Sequence, residues 1–299
     1  MGGLIWLASY PKSGNTWTRA FLHNFIRQGD EAHDINDMRA LTSTDNAPGW
    51  FKQFIDKPQE QWTPEDVAKA RPQAHQLIHD STEGFVFLKT HNALMGYAGV
   101  PMITMRLTAG AIYIVRNPLD VAVSYSHHMD ETIDETINIM AHTDRFIDSH
   151  EKGVFQILGS WSQNVASWTG KPSRSLFVMR YEDMLAHPDE VFGELAGWLN
   201  LPAEPERLKR AIELSSFANL KRQEAQSGFQ EKPSSAEVFF REGRAGQWKE
   251  TLSRNQIRRI LRDHGAQMAR FGYLKEAEDF LASRTSLATA GKLRDSGTR

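Results

Sequence analysis

Leu4-Ile5-Trp6-Leu7-Ala8-Ser9-Tyr10-Pro11-Lys12-Ser13-Gly14-Asn15-Thr16-Trp17 is the stretch that decides the fold. Leu4–Ser9 is apolar or small throughout and does not alternate with polar residues, the pattern of a strand covered on both faces. A tight polar turn with a single glycine follows. Trp17–Arg27 then places Trp17, Ala20, Phe21, Asn24 and Phe25 at helical spacing. A strand that enters a helix through such a turn aims backbone N–H groups and the positive helix end at one point, which suits a phosphate. Lys12 adds a full charge, and Ser13, Asn15 and Thr16 add side-chain donors. In the GxxxxGK[ST] phosphate loop the lysine follows the second glycine, whereas here Lys12 precedes Gly14. Taken alone, the turn is also compatible with a plain connection carrying a surface lysine.

Three further runs share the character of the first: Phe85–Leu88, Ala111–Val115 and Leu176–Met179. Helical patterns over Leu119–His128 and Glu190–Leu199 follow two of them. Strand and helix alternate, so the chain is expected to be a single α/β domain over residues 1–282, a central parallel sheet flanked by helices, with ligands at the carboxyl ends of the strands. Residues 28–83 are polar and hold four prolines (Pro48, Pro58, Pro64 and Pro72). They read as a helical and loop excursion over the domain, with a helix starting at Thr63 as N-cap and Pro64 at the first position. The acidic segment 130–153 is a candidate lid, with a solvated helical face as the simpler reading. Residues 283–299, rich in Ser, Thr, Gly, Lys and Arg, read as a flexible tail.

Composition narrows the function. Among 299 residues, 35 Lys and Arg stand against 37 Asp and Glu, a formal charge of −2. A near-neutral chain is a poor general nucleic-acid binder. The absence of cysteine excludes disulfides, thiolate nucleophiles, iron–sulfur clusters and Cys-ligated zinc. No run approaches the roughly 18 apolar residues of a membrane helix. The N-terminus lacks a basic leader region and reads as a strand, and Trp6 stands where a myristoylation motif wants Ser or Thr. Cytoplasm is the expected compartment.

His91 closes the Lys89-Thr90-His91 triplet at the end of the second apolar run. An imidazole at a strand's carboxyl end beside a phosphate turn is placed to act as a base at neutral pH. Arg116 leaves the third run, and Ser124 lies on the helix after it. A guanidinium fork and a hydroxyl there suit a second phosphate. Neighbouring His127 and His128 point different ways on a helix, so no metal site is read there.

Together these segments resemble the cytosolic-type sulfotransferases, which use 3′-phosphoadenosine 5′-phosphosulfate (PAPS) and release 3′-phosphoadenosine 5′-phosphate (PAP). Tyr10–Trp17, YPKSGNTW, is similar to the family's 5′-phosphosulfate loop YPKSGTTW, with Asn15 for a Thr. Lys89–His91 matches its KTH motif, and Tyr113–Tyr125 matches its 3′-phosphate segment. Tyr181, Ser215 and Phe217 fall where the family holds the purine. Phe240–Lys249 resembles its RKGxxGDWK element, which closes over the 3′-phosphate.

The resemblance implies a P-loop-kinase-like fold and transfer of a sulfuryl group to a hydroxyl or amine of a small acceptor, with no metal required. It implies His91 as base, with Lys12 and Lys89 stabilising the transferring group. It implies Lys12, Ser13, Gly14, Asn15, Thr16, Trp17, Arg116, Ser124, Tyr181, Ser215, Phe217, Arg241, Glu242 and Gly243 as the nucleotide site. Two departures stand out: Glu242 replaces a Lys and Gln247 an Asp. Glu242 is expected to point away, with Arg244 compensating. Of the family's KxxxTVxxxE dimer motif only Lys249 remains, so that dimer mode is not expected, and the oligomeric state and acceptor stay open. Leu94–Met105 reads as core that reaches the edge of an acceptor cleft. The competing readings are a small-molecule kinase using ATP and a non-catalytic binder of 3′-phosphonucleotides.

Overall fold

The computed structural model describes residues 2–233 and 236–283. Five parallel strands form the central sheet in the order β2-β3-β1-β6-β9. They are β1 (Gly3–Ser9), β2 (Thr42–Thr44), β3 (Phe85–Thr90), β6 (Thr108–Val115) and β9 (Leu176–Arg180). Every residue of β1 is buried. This follows from its unbroken apolar run: Leu4, Trp6 and Ala8 enter the core on one face, Ile5 and Leu7 the core on the other. Two small antiparallel pairs, β4 (Gly96–Tyr97) with β5 (Val100–Pro101) and β7 (Phe146–Ile147) with β8 (Gln156–Ile157), lie outside this sheet.

Helices cover both faces. On the Ile5 face lie α1 (Asn15–Arg27), α7 (Pro188–Trp198) and α8 (Pro205–Leu214), through Phe21, Phe25, Phe192 and Ala211. The Trp6 face takes α3 (Pro118–Met129), α4 (Ile133–Ala141), α5 (Trp161–Thr169) and α11 (Arg254–Arg270). The short α6 (Tyr181–Ala186), α9 (Phe217–Ser227) and α10 (Trp248–Thr251) sit around the strand ends. The chain leaves β1 toward β3 on one side and β6 on the other. The carboxyl end of β1 is therefore the switch point at which such sheets bind ligands.

The excursion 28–83 carries α2 (Pro64–Asp80), which begins as expected with Thr63 in a capping box with Asp66 and Pro64 in the first turn. It also carries β2, an edge strand the sequence does not announce. Thr-Ser-Thr is short and polar, and it pairs on one side only. Of Leu94–Met105 only Met102, Ile103 and Thr104 are buried; residues 96–99, Pro101 and Met105 are exposed, and the stretch contributes nothing to the large cavity described below, so it is neither core throughout nor a cleft edge. The tail expectation, residues 283–299, falls outside the described residues except for Ser283, which is still helical.

One buried network fixes the excursion to the end of β3. The Asp45 carboxylate accepts from Arg71 (3.1 Å), Thr90 Oγ1 (2.9 Å) and Asn92 Nδ2 (2.8 Å). Arg71 also donates to the Phe155 carbonyl. Burial pushes the Asp45 carboxyl up, and Arg71, Thr90 and Asn92 oppose that rise. Asp45→Ala strands a fully buried guanidinium, so urea unfolding is expected to show a loss of about 3–5 kcal/mol; a loss below about 1 kcal/mol would show that the pair is not what holds this corner.

Candidate active site

Strand ends and one C-terminal crossing segment enclose a cavity of about 770 Å³. The turn after β1 forms its floor. Lys12 has φ 63° and Gly14 φ 104°, and this pair of left-handed residues curls the turn over the start of α1. At Gly14 a Cβ would come 2.8 Å from the Tyr181 ring, so no larger residue fits. The first N–H groups of α1 have no partner within the helix and face the turn.

His91 continues from β3 into the cavity. Its Nδ1–H donates to the Ser9 carbonyl at 2.8 Å, and the His91 carbonyl accepts from Asn164 Nδ2 at 3.0 Å. That leaves Nε2 as a lone-pair acceptor. Burial, helped by the Lys89 charge, pulls the imidazole pKa down to about 3, so the ring is neutral at physiological pH.

Lys12 Nζ lies 4.1 Å from the centre of the Phe239 ring and 3.4 Å from His128 Nδ1. Burial first, then Arg116 and Lys89, pull its pKa down to about 7. Lys89 donates to Glu231 at 3.0 Å. The same carboxylate takes both terminal nitrogens of Arg19, each at 2.8 Å. Burial works to raise Glu231, but Lys89 and Arg19 outweigh it and hold the carboxyl far below its usual range.

Arg116 donates to the Lys12 carbonyl (3.0 Å) and the Arg244 carbonyl (3.1 Å), with its guanidinium 4.2 Å from the Tyr181 ring centre. Ser124, one face along α3, lines the cavity beside it. Asp120 lies below and accepts the N–H groups of Gly246 (2.7 Å) and Trp248 (3.1 Å), which anchors the 240–249 segment over the cleft. Arg241 lines the cavity and bonds Glu242 and Gln247, each at 2.7 Å. Gln247, in the place of an acid, thus still orients Arg241. Gly243 has φ 62°, and a Cβ there would meet Phe217 at 2.1 Å. Trp17 meets Tyr181 edge-on, with centroids 5.9 Å apart.

Lys12, Gly14, Thr16, Trp17, Lys89, His91, Arg116, Ser124, Tyr181, Phe217, Arg241, Glu242 and Gly243 therefore converge on one cavity. Two expected residues do other work. Ser215 is fully buried and gives its hydroxyl to the Ala211 carbonyl (2.8 Å); the next serine, Ser216, reaches the cavity instead. Asn15 lines the floor, but its amide turns back to the Leu7 carbonyl (2.8 Å), because a buried amide must spend its donors on the nearest free acceptor. Ser13 is buried with no partner for its hydroxyl. Glu242 does not point away; it bridges Arg241 and Arg244 at 2.7 Å each. Arg244, paired also with Glu250, does not reach the cavity and does not compensate.

Sequence reading passed over Glu231, Arg19 and Glu224, whose carboxylate accepts the N–H groups of Phe239 and Phe240. Glu231 and Lys89 are 142 positions apart, and no motif marks the glutamate. The one available signal was the apolar setting of Arg19 on α1, since a buried arginine demands an acid.

A family model described as "Sulfotransferase domain" matches residues 4–272. The chain belongs to this family of PAPS-dependent sulfotransferases, and the kinase and simple-binder readings fall away. A flavonol 3-sulfotransferase of Flaveria bidentis is 25% identical over 271 residues, covering 86% of this chain and 78% of that protein. The fold matches a mouse sulfotransferase solved with PAP at a TM-score of 0.61 and 18% identity, over 94% and 89% of the two chains. A retinol dehydratase solved with androsterone and PAP matches at a TM-score of 0.61 and 17% identity, over 89% and 80%. The cavity residues suit such a nucleotide: the N–H groups at the start of α1, the cations Lys12, Lys89, Arg116 and Arg241, the rings of Trp17, Tyr181 and Phe217, and buried orphan donors on Ser13, Trp17 and Arg116. No helix among the described residues is long and apolar enough to cross a membrane.

Lys12 makes the pH dependence of nucleotide binding calculable. Its pKa stands near 7 in the free protein, so above pH 7 most of the amine is neutral. A phosphate oxygen beside Nζ restores the charge. PAP binding at pH 8 is therefore expected to take up as much as about one proton, and affinity to fall as pH rises from 7 toward 10. Calorimetry in buffers of different ionisation enthalpy measures this. Equal uptake by Lys12→Met, or none by the native protein, would contradict it.

Proposed function

We propose that His91 is the general base of sulfuryl transfer, accepting at Nε2 the proton of an acceptor hydroxyl or amine. The observation that carries this reading is the tautomer: Nδ1–H is committed to the Ser9 carbonyl, so the lone pair of a neutral ring faces the same cavity as Lys12 and Lys89. PAPS supplies, when bound, the sulfuryl group on an activated mixed anhydride. Lys12 and Lys89 offer cations where negative charge develops on the leaving phosphate, as cations do at transferring phosphoryl groups. The backbone of residues 13–17 holds the 5′-phosphate. Arg116, Ser124 and Arg241 hold the 3′-phosphate and so select PAPS over nucleotides that lack it, since hydrogen bonds to charged groups are worth about 1.5–3 kcal/mol each. Trp17, Tyr181 and Phe217 pack the adenine.

Lys89 must leave Glu231, at least in part, to serve the sulfuryl group. Glu231 keeps Arg19 as partner when it does, so neither buried charge is stranded. The acceptor is a small molecule, and the compartment is the cytoplasm, a reading supported by a relative named a cytosolic sulfotransferase in Arabidopsis thaliana.

His91→Ala is expected to lower transfer from labelled PAPS to an acceptor panel by about 10²–10⁴-fold, the usual worth of a positioned base. PAP affinity should stay within a few fold. Full activity in this variant would sink the assignment. Arg116→Ala should weaken PAP more than adenosine 5′-phosphate, which lacks the 3′ group; equal weakening of both would count against a 3′-phosphate role.

A further inference from the structure

The cavity continues past His91, away from the nucleotide half. Thr44 of β2 lies in register with Lys89. The β7–β8 hairpin runs beside residues 91–93: Ala93 N–H donates to the Ile157 carbonyl at 2.8 Å, and Ile157 N–H to Asn92 Oδ1 at 2.8 Å. Val154 N–H donates to the Asn46 carbonyl at 2.9 Å. These ties bring Thr44, Asn46, Arg145, His150, Lys152 and Gln156 into one wall of the same cavity. Tyr125, Met129 and Ile147 line the same cavity, so the body of an acceptor meets apolar groups, while the polar and cationic side chains of this wall suit a charged substituent on it.

Arg145 is its centre. Its carbonyl accepts the N–H groups of Leu158 and Gly159, both at 2.9 Å, which fixes the residue against the hairpin. Its Nε is buried and has no partner, and its guanidinium lies beside the Tyr125 hydroxyl. Among the described residues it forms no ion pair. Asp144, Asp148 and Glu151 are exposed on the same segment and do not line the cavity. Glu131 feels the Arg145 charge but is exposed and does not pair with it. Three of the other cations are balanced: Lys89 by Glu231, Arg241 by Glu242, and Arg116 by two carbonyls; Lys12 meets a ring face and an imidazole and sheds charge instead. A cation drawn from water without a counter-charge is costly, and a ligand's anion relieves that cost.

We propose that this wall is an acceptor subsite for an anion. Arg145, supported by Lys152, holds a carboxylate or phosphate on the acceptor molecule while the hydroxyl to be sulfated faces His91. The placement of that hydroxyl rests on the catalytic reading of His91; the anion subsite itself does not.

The test separates the two. Full-length protein saturated with PAP, so that the nucleotide's own phosphate sites are filled, is titrated calorimetrically with two matched pairs: 4-hydroxybenzoate against its methyl ester, and glucose 6-phosphate against glucose. In at least one pair the anion is expected to bind about tenfold or more tightly than its neutral partner, the worth of one charge-assisted contact. The pair that responds tells carboxylate from phosphate. Arg145→Met should erase the preference while PAP affinity, which also reports folding, stays within about twofold; Lys152→Met, at an exposed position, should reduce it. Equal binding within both pairs, no binding of either anion, or a preference that survives Arg145→Met would overturn the subsite. If the preference is found, the subsite stands whether or not any member of the panel accepts sulfuryl from PAPS, because the catalytic reading of His91 is decided by His91→Ala alone. Transfer with equal kcat/KM to charged and neutral partners would overturn the subsite and leave His91 standing.

Discussion

Like charges crowded into a poorly solvated cleft are the constraint around which this protein is built. Lys12, Lys89, Arg116 and Arg241 share one cavity, and burial together with the charges of Arg116, Lys89 and Arg241 pulls down the pKa of Lys12. The fold answers in four ways. Glu231 divides a single carboxylate between Lys89 and the buried Arg19. Main-chain carbonyls of Lys12 and Arg244 take the Arg116 fork. Ring faces of Tyr181 and Phe239 lie against Arg116 and Lys12. Lys12 itself gives up much of its proton near neutrality. The overall charge of −2 hides all of this, because it averages one dense cationic centre against acids spread over the surface.

Each answer comes from a different part of the chain. Asp45 and Arg71 fasten the excursion to the end of β3, which sets Lys89 and His91. Asp120 caps the 246–248 backbone, and Glu224 caps that of Phe239 and Phe240, so the crossing segment is pinned at both ends by buried or half-buried acids. Acids here seldom face the ligand; they hold the pieces that carry cations toward it.

What could be read in advance follows from this division. The four apolar runs were legible as central strands because burial on both faces leaves a compositional trace, and the motif residues at their carboxyl ends converge because parallel strands share that edge. Strand β2 leaves no such trace: Thr42–Thr44 is polar, brief and bonded on one side. The roles of Asn15 and Ser215 were hidden for another reason. A polar side chain in a motif has two possible partners, a ligand or the nearest unpaired backbone group, and only the geometry decides between them. The partnership of Glu231 with Arg19 and Lys89 joins positions far apart in the chain, and nothing local encodes it. The Arg145 wall was obscured in a segment whose acidic residues suggested solvent, although its acids and bases face opposite ways.

The position of β1 has a consequence for how the chain is made. It is the middle strand, yet it precedes the other four in the chain, and its neighbours β3 and β6 end only at residues 90 and 115, with β9 closing the edge at residue 180. Parallel pairing at such separations is slow, and until it is complete an apolar hexapeptide waits without a partner. A shortened product ending before β9 is therefore a candidate for aggregation rather than partial function.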